Sequence, residues 1–399
     1  MIQLVEKERC CGCSACLNAC KFDALTMQLD NTGFSFPMID ESKCVECKAC
    51  ERACPILNKV EYKSDSINAY IVQNKDDEIR KQSTSGGAFT GIAKQVIAQG
   101  GVVFGASINS ELKVNHIFVE TEIELSEFRS SKYVESNIGM SYKKAEEFLK
   151  EGRLVCFSGT PCQIYALKQY LKKDYENLIA VDVMCRAVPS PKVLQKYLDY
   201  QKEKYPSFDR IVFRDKARGY SYSCVTLYSG KKVLYRAGSE SDPWLRLFLG
   251  GYCNRETCHE CLFQTGVRAS DITMWDCWGT QNYEPKWDDN KGTTNIITWT
   301  EKGDRVLNSE TANLRIKEIG IENIDASLER ELLPRPNCSK KEFYDDLERL
   351  SSNGFIEKYV PMTIKIKIKK IGRHVINVLH LHNAIRKIVH KIRKYKRER

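Results

Sequence analysis

Eight of the eighteen cysteines in this 399-residue chain fall into two runs of identical spacing. Cys10, Cys13, Cys16 and Cys20 read C-x2-C-x2-C-x3-C, and Cys44, Cys47, Cys50 and Cys54 repeat the pattern, with Pro55 directly after it. This is the spacing of bacterial two-cluster ferredoxins, in which the fourth cysteine of each run ligates the other cluster. It predicts one [4Fe–4S] cluster on Cys10, Cys13, Cys16 and Cys54, and a second on Cys44, Cys47, Cys50 and Cys20. Zinc ribbons use paired C-x2-C units rather than two runs of four thiols, and disulfides require an oxidising compartment. Lys21 occupies the position where Pro55 follows the second run. Cys11 lies outside both patterns and reads as a bystander. Iron–sulfur clusters move single electrons, so the chain is expected to carry electrons.

The length suits two or three domains, and the 42% hydrophobic content is ordinary for a globular protein. The N-terminal residues Met1 to Lys7 hold no apolar core of signal-peptide length. No run of apolar residues is long enough for a membrane-spanning helix. Cysteine usage without an export signal points to metal ligation in a reducing cytoplasm. The net charge of +10 is concentrated at one end: residues 363–399 hold 13 Lys or Arg against the single acid Glu398. The rest of the chain is slightly acidic, which argues against a nucleic-acid-binding body.

Residues 1–58 form the cysteine-rich module, with short strands expected at Ala24–Leu29 and Gly33–Met38. Lys59 to Ser66 reads as a linker. Beyond it, Ala69–Val72, Gly101–Ala106, Leu154–Phe157 and Leu178–Cys185 read as strands. Helices are expected from Ala88, after Pro161 and after Pro191, and this alternation argues for a mixed α/β core. Ile211 to Arg236 reads as a β-meander.

Ser83-Thr84-Ser85-Gly86-Gly87 is a turn feeding a helix, a place that favours anions such as a nucleotide pyrophosphate; by itself it reads equally as a capping turn. Cys162 and Cys185 each end an expected strand, where open α/β sheets place ligands. With the C-x2-C of Cys258 and Cys261 they could hold a third [4Fe–4S] cluster. Cys253 is a rival ligand, since Cys253-x4-Cys258-x2-Cys261 approaches plant-type ferredoxin spacing, and a structural zinc on Cys258 and Cys261 is the plainer alternative. Asp271, Asp276 and Trp278 fit a strand with a core tryptophan. Cys156, Cys224, Cys277 and Cys338 read as packing or surface thiols.

An ordered series then becomes recognisable: Ser83-Thr84-Ser85-Gly86-Gly87-Ala88-Phe89, Ser131-Lys132-Tyr133-Val134-Glu135-Ser136, Gly159-Thr160-Pro161-Cys162-Gln163, Asp182-Val183-Met184-Cys185 with Pro189-Ser190-Pro191, Cys258-His259-Glu260-Cys261, and Ser270-Asp271-Ile272-Thr273 with Asp276-Cys277-Trp278-Gly279. It resembles the beta-subunit family of coenzyme F420 hydrogenases and dehydrogenases over residues 67 to about 330. The resemblance divides this part into an N-terminal region, 67–150, and a C-terminal region, 151–335. It implies FAD beside one further [4Fe–4S] cluster held by Cys162, Cys185, Cys258 and Cys261, with Cys253 left out. It implies flavin contacts near Ser85, Gly86, Gly87, Lys132 and Tyr133. Arg186-Ala187 replaces the family's usual His-Gly, and Cys277 stands where an aromatic is typical.

At the C-terminus Val378, Leu381, Ile385, Ile388 and Ile392 recur on one helical face, with Arg386, Lys387, Lys391 and Lys394 on the others. A basic amphipathic helix at 363–399 suits an anionic membrane surface or an acidic partner; alternatively it packs its stripe on the body. A single aromatic, Tyr395, disfavours RNA contact.

The sequence therefore predicts an α+β chain: a two-cluster ferredoxin module, a mixed α/β flavin and iron–sulfur domain, and a basic amphipathic tail. The expected activity is electron passage between a ferredoxin-like or other redox protein and a small-molecule hydride acceptor or donor. That molecule is the deazaflavin F420 or another conjugated compound. No specific nucleic acid is expected. The expected location is the cytoplasm, or its boundary with the inner face of the membrane. The competing expectation is a non-catalytic relay subunit of a larger redox complex.

Overall fold

Each cysteine run folds into one short helix, Ala15–Ala19 and Ala49–Ala53. The computed structural model describes residues 2–64, 67–264, 266–323, 333–379 and 381. In both runs the backbone turns left-handed at matching positions, Gly12 (φ 67) and Ser14 (φ 59) in the first, Glu46 (φ 52) and Lys48 (φ 58) in the second. Both helices end on the fourth cysteine in extended conformation, Cys20 (ψ 117) and Cys54 (ψ 118). That exit sends the fourth thiol away from its own run, the local basis for crossed ligation. Strands β1 (Leu25–Leu29) and β2 (Ser35–Ile39) pair antiparallel between the two runs.

The larger body is one eight-stranded mixed sheet. Its strands are β3 (Asn68–Asn74), β4 (Val102–Ile108), β5 (Val114–Val119), β6 (Val155–Gly159), β7 (Leu178–Val183), β11 (Ile272–Asp276), β12 (Thr294–Thr298) and β13 (Leu314–Ile319). Their order is β13-β3-β12-β11-β7-β6-β4-β5. Strands β4, β6, β7 and β11 are parallel. Strand β12 is antiparallel to both β11 and β3, so β3 runs in the same direction as β11. Segments before and after residue 150 interleave in this sheet. Strands such as Leu178-Ile179-Ala180-Val181 are buried on both faces, which explains their continuous apolar runs. The expected meander is the separate sheet of β8 (Arg210–Asp215), β9 (Cys224–Ser229) and β10 (Lys232–Gly238).

The ferredoxin module shares its core with the body. Cys13, Ala15, Ala53 and Ile56 pack in one apolar cluster with Ile138, Tyr142, Ile164 and Tyr165. Asn18 Nδ2 donates to Gly139 O (2.8 Å), the Lys143 amide to Asn18 Oδ1 (3.1 Å), and Ser190 Oγ to Thr32 O (2.6 Å).

The last described helix, Ile364–Val378, exposes Ile364, Ile368, Ile371, Val375 and Val378. Arg373 ties it to Glu240 (3.2 Å). Of the stripe read from the sequence only Val378 and Leu381 fall within the described residues; Ile385, Arg386, Lys387, Ile388, Lys391, Ile392 and Lys394 lie outside them. Among the described residues no helix is long and apolar enough to cross a membrane.

His116 on β5 is buried against Phe157 (ring centroids 5.7 Å apart), with Ser136 Oγ 2.9 Å from its Nδ1 and Ser158 O 3.1 Å from its Nε2. Burial pulls its pKa from 6.5 down to about 4. The unfolded chain therefore takes up a proton near pH 6.5 that the folded chain refuses until about pH 4. Stability falls as the pH drops through that window, by about 3 kcal/mol in all. Denaturant unfolding across that range is expected to show this component in the wild type and to lack it in His116→Gln.

Candidate functional site

Cys20, Cys44, Cys47 and Cys50 line a single cavity walled by Phe22, Ala24, Leu25, Ile39 and Val45. Cys10, Cys13, Cys16 and Cys54 form the neighbouring group. Cys10 feels the charge of Cys54, Cys13 that of Cys16 and Cys10, and Cys16 that of Cys10, Cys54 and also Cys50. The two groups are thus adjacent, and each combines three cysteines of one run with the fourth of the other. Cys47 is exposed while Cys10 and Cys13 are buried, so one group faces solvent and the other faces the body.

The body brings Cys162, Cys185, Cys258 and Cys261 together. Cys185 lies within electrostatic reach of Cys258, Cys162 and Cys261, and Cys258 of Cys162 and Cys261. Cys162 does not end a strand. Thr160 and Gln163 form a capping box and Pro161 opens the helix Pro161–Leu171, so Cys162 sits in its first turn. Cys185 follows the end of β7, and Cys258 sits in the 3-10 turn Glu256–Glu260, with Cys261 just after it. Cys253 is packed in the apolar core instead, its carbonyl taken by the Ser190 amide (2.8 Å). Burial pushes the Cys258 thiol up to about 12 and the Cys185 thiol well above its usual range. Thiolates in such a place require a positive partner, which bound iron supplies. Among the described residues no three His, Cys, Asp or Glu side chains close around a single metal ion. A four-iron cube holds its thiolates further apart than one ion does. Cys11 is buried between the two systems, its thiol in contact with both Cys13 and Cys162.

The Ser83–Gly87 turn follows β3 and the short helix Asp77–Gln82. Gly86 can only be glycine, because a Cβ there would run into Val72 O and the Thr294 backbone. Its amide donates to Thr294 Oγ1 (2.9 Å) and Ser85 Oγ to Thr293 O (2.5 Å). Gly87 (φ 78) is the left-handed cap of the helix Ala88–Ala98. Thr84 Oγ1 meets Ser131 Oγ (2.9 Å), which brings the Lys132-Tyr133 segment alongside. Lys132 Nζ donates to Glu127 O (2.7 Å) and Arg129 O (3.0 Å), and burial pulls its pKa down to about 7.

A polar chain closes the gap between Ser85 and Tyr133. Ser85 bonds Tyr220, Tyr220 OH donates to Asp276 Oδ1 (3.0 Å), and Asp276 pairs with Arg214 (2.8 Å). Arg214 Nη1 then donates to Tyr133 OH (3.3 Å). Trp278 is 53% exposed, stacks on Tyr220 at 4.6 Å and lies under the Arg214 guanidinium, so it is a surface ring and not a core tryptophan. Lys216 Nζ is wedged among the carbonyls of Arg80 (2.5 Å), Ser85 (2.7 Å) and Lys291 (2.6 Å). Arg129 Nε, Ser130 Oγ, and Arg214 Nε and Nη2 are buried donors without a protein partner. Arg214, Lys216 and Tyr220 carry no signal in the sequence, because a basic residue in a meander reads as solvent-facing. Both the cysteine quartet and the glycine turn lie at the carboxyl ends of β3, β6, β7 and β11, one edge of one sheet, where such folds bind ligands.

Residues 9–57 match the 4Fe–4S dicluster domain model. Residues 152–323 match the model for the C terminus of the coenzyme F420 hydrogenase/dehydrogenase beta subunit. Among curated proteins none matches this sequence. Among solved structures, a chain of the F420-reducing [NiFe] hydrogenase complex from Methanosarcina barkeri is similar at 16% identity and a TM-score of 0.46, over 73% of this chain and 93% of that one. With its dicluster domain in front and that C-terminal domain behind, the chain belongs to the coenzyme F420 hydrogenase/dehydrogenase beta-subunit family.

Proposed function

We propose that this protein is an iron–sulfur flavoprotein oxidoreductase. It passes electrons between a ferredoxin-like donor and an organic hydride acceptor, coenzyme F420 or another conjugated molecule, and the reverse direction uses the same parts. Residues 1–58 form its electron-entry module, with ligand sets Cys10, Cys13, Cys16, Cys54 and Cys20, Cys44, Cys47, Cys50. Residues 67–150 and 151–335 together build the flavin region, with a third [4Fe–4S] cluster on Cys162, Cys185, Cys258 and Cys261. The observation that carries this reading is the shared sheet edge of the cysteine quartet and the glycine turn.

The residues there fit FAD in kind. The unpartnered donors of Arg129, Ser130 and Arg214 suit a polar, anionic cofactor, and the Gly86-Gly87 backbone leaves room that a side chain would fill. When bound, the flavin supplies the exchange between single electrons and a hydride. Ser85, Gly86 and Gly87 bind and orient it, Lys132 and Tyr133 flank it, and the Asp276 carboxylate fixes Arg214 in place. Phe157 and Tyr142, stacked in the core behind the edge, exclude water from that side.

The isolated chain, given reduced ferredoxin, is expected to reduce F420 or a flavin-like dye. A chain that accepts electrons yet reduces no acceptor would be a relay subunit instead. We place the protein in the cytoplasm with peripheral membrane contact through residues 363–399. The exposed stripe Ile364, Ile368, Ile371, Val375, flanked by Lys365, Lys367, Lys369 and Lys370, supports this contact. The full chain should sediment with anionic vesicles and the chain lacking 363–399 should not; equal sedimentation of both removes the membrane reading.

A further inference from the structure

Arg255, between Cys253 and Cys258 in sequence, is buried at the seam between the ferredoxin module and the body, only 2% exposed. Its Nη1 donates to Cys10 O (2.9 Å), and its Nη2 to Ser35 O (2.9 Å) and Glu135 Oε1 (2.6 Å). The guanidinium is also 4.7 Å from the ring centres of both Phe34 and Phe36. Gly12 is required beside it, since a Cβ there would meet the guanidinium. This one cation lies within electrostatic reach of Cys10 on one side and of Cys162 and Cys258 on the other. Cys11, touching Cys13 and Cys162, shows how close the two groups are. The quartet of Cys20, Cys44, Cys47 and Cys50 lines a separate cavity.

A buried cation needs compensation, and one carboxylate, Glu135, is paired with it. Two thiolate-ligated clusters would supply the rest. Reducing a cluster adds one negative charge, so a fixed cation beside it favours the reduced form and raises its potential. We propose that Arg255 is a positioning residue that raises the reduction potentials of two clusters together, the one on Cys10, Cys13, Cys16 and Cys54 and the one on Cys162, Cys185, Cys258 and Cys261. Glu135 holds it in place and moderates its charge. This rests on the third cluster of the proposed function.

The test is a redox titration of the full, iron-loaded chain followed by electron paramagnetic resonance. Arg255→Gln should move two of the three midpoints to more negative potentials and leave the third in place. Arg255→Lys, which keeps the charge but not the fork, should move them less. Glu135→Gln should move the same two in the positive direction, and it decides the matter if Arg255→Gln fails to load iron. Midpoints that stay put in Arg255→Gln and Glu135→Gln, or that all move equally, overturn the inference. A wild type with about 8 irons per chain removes the third cluster and the inference with it, whereas about 12 irons with unmoved midpoints overturns the inference alone.

Discussion

Cys258→Ser is expected to lower the iron content from about 12 to about 8 per chain and to stop electrons from reaching the flavin, while the two N-terminal clusters remain reducible. Cys258 is buried beside Cys162, Cys185 and Cys261, and a serine there keeps the shape while losing the thiolate that iron requires. Cys253→Ser is the matched control. Its side chain is equally buried but packs in the apolar core, so it should keep all its iron and lose only about 1–3 kcal/mol from burying a hydroxyl without a partner. Iron analysis with resonance spectra of the reduced proteins separates the two. Equal iron in both variants, or loss of four irons from Cys253→Ser, contradicts the assignment.

Gly86→Ala is expected to abolish flavin binding and to destabilise the body by roughly 3 kcal/mol. A methyl group at this position meets the carbonyl of Val72 on β3 and the amide of Thr294 on β12. Both belong to sheet backbone and neither can swing away as a flexible side chain could. The turn must therefore shift, taking with it the Ser85 bond to Thr293 and the Lys216 bond to Ser85. Flavin absorbance after gel filtration and the denaturant midpoint report the two effects. The ferredoxin module, which packs elsewhere on the body, should retain its iron.

The cysteine quartets of the ferredoxin module are legible in the sequence because ligation fixes spacing in the chain itself. The strands and main helices are legible from apolar runs broken by turns. The sheet order is not, since β3 pairs with β12 and β13, more than two hundred residues away, and no local pattern encodes such pairing. Cys162 reads as a strand end because the capping box at Thr160 starts a helix with almost no loop. Trp278 reads as a core ring, yet it follows the last residues of β11 and is held at the surface by Tyr220. Cys11 reads as a bystander. It is no part of either quartet's spacing, but it lies at the contact between the module and the body. Arg214, Tyr220 and Arg255 act through tertiary neighbours alone, and nothing in their local sequence marks them.

Iron, acid-labile sulfide, zinc and released flavin per chain, measured on protein purified without oxygen, decide whether three clusters serve one flavin. The account predicts about 12 irons, matching sulfide, no zinc and one FAD. About 8 irons without flavin would contradict it, leaving a two-cluster ferredoxin domain on a body that only relays electrons.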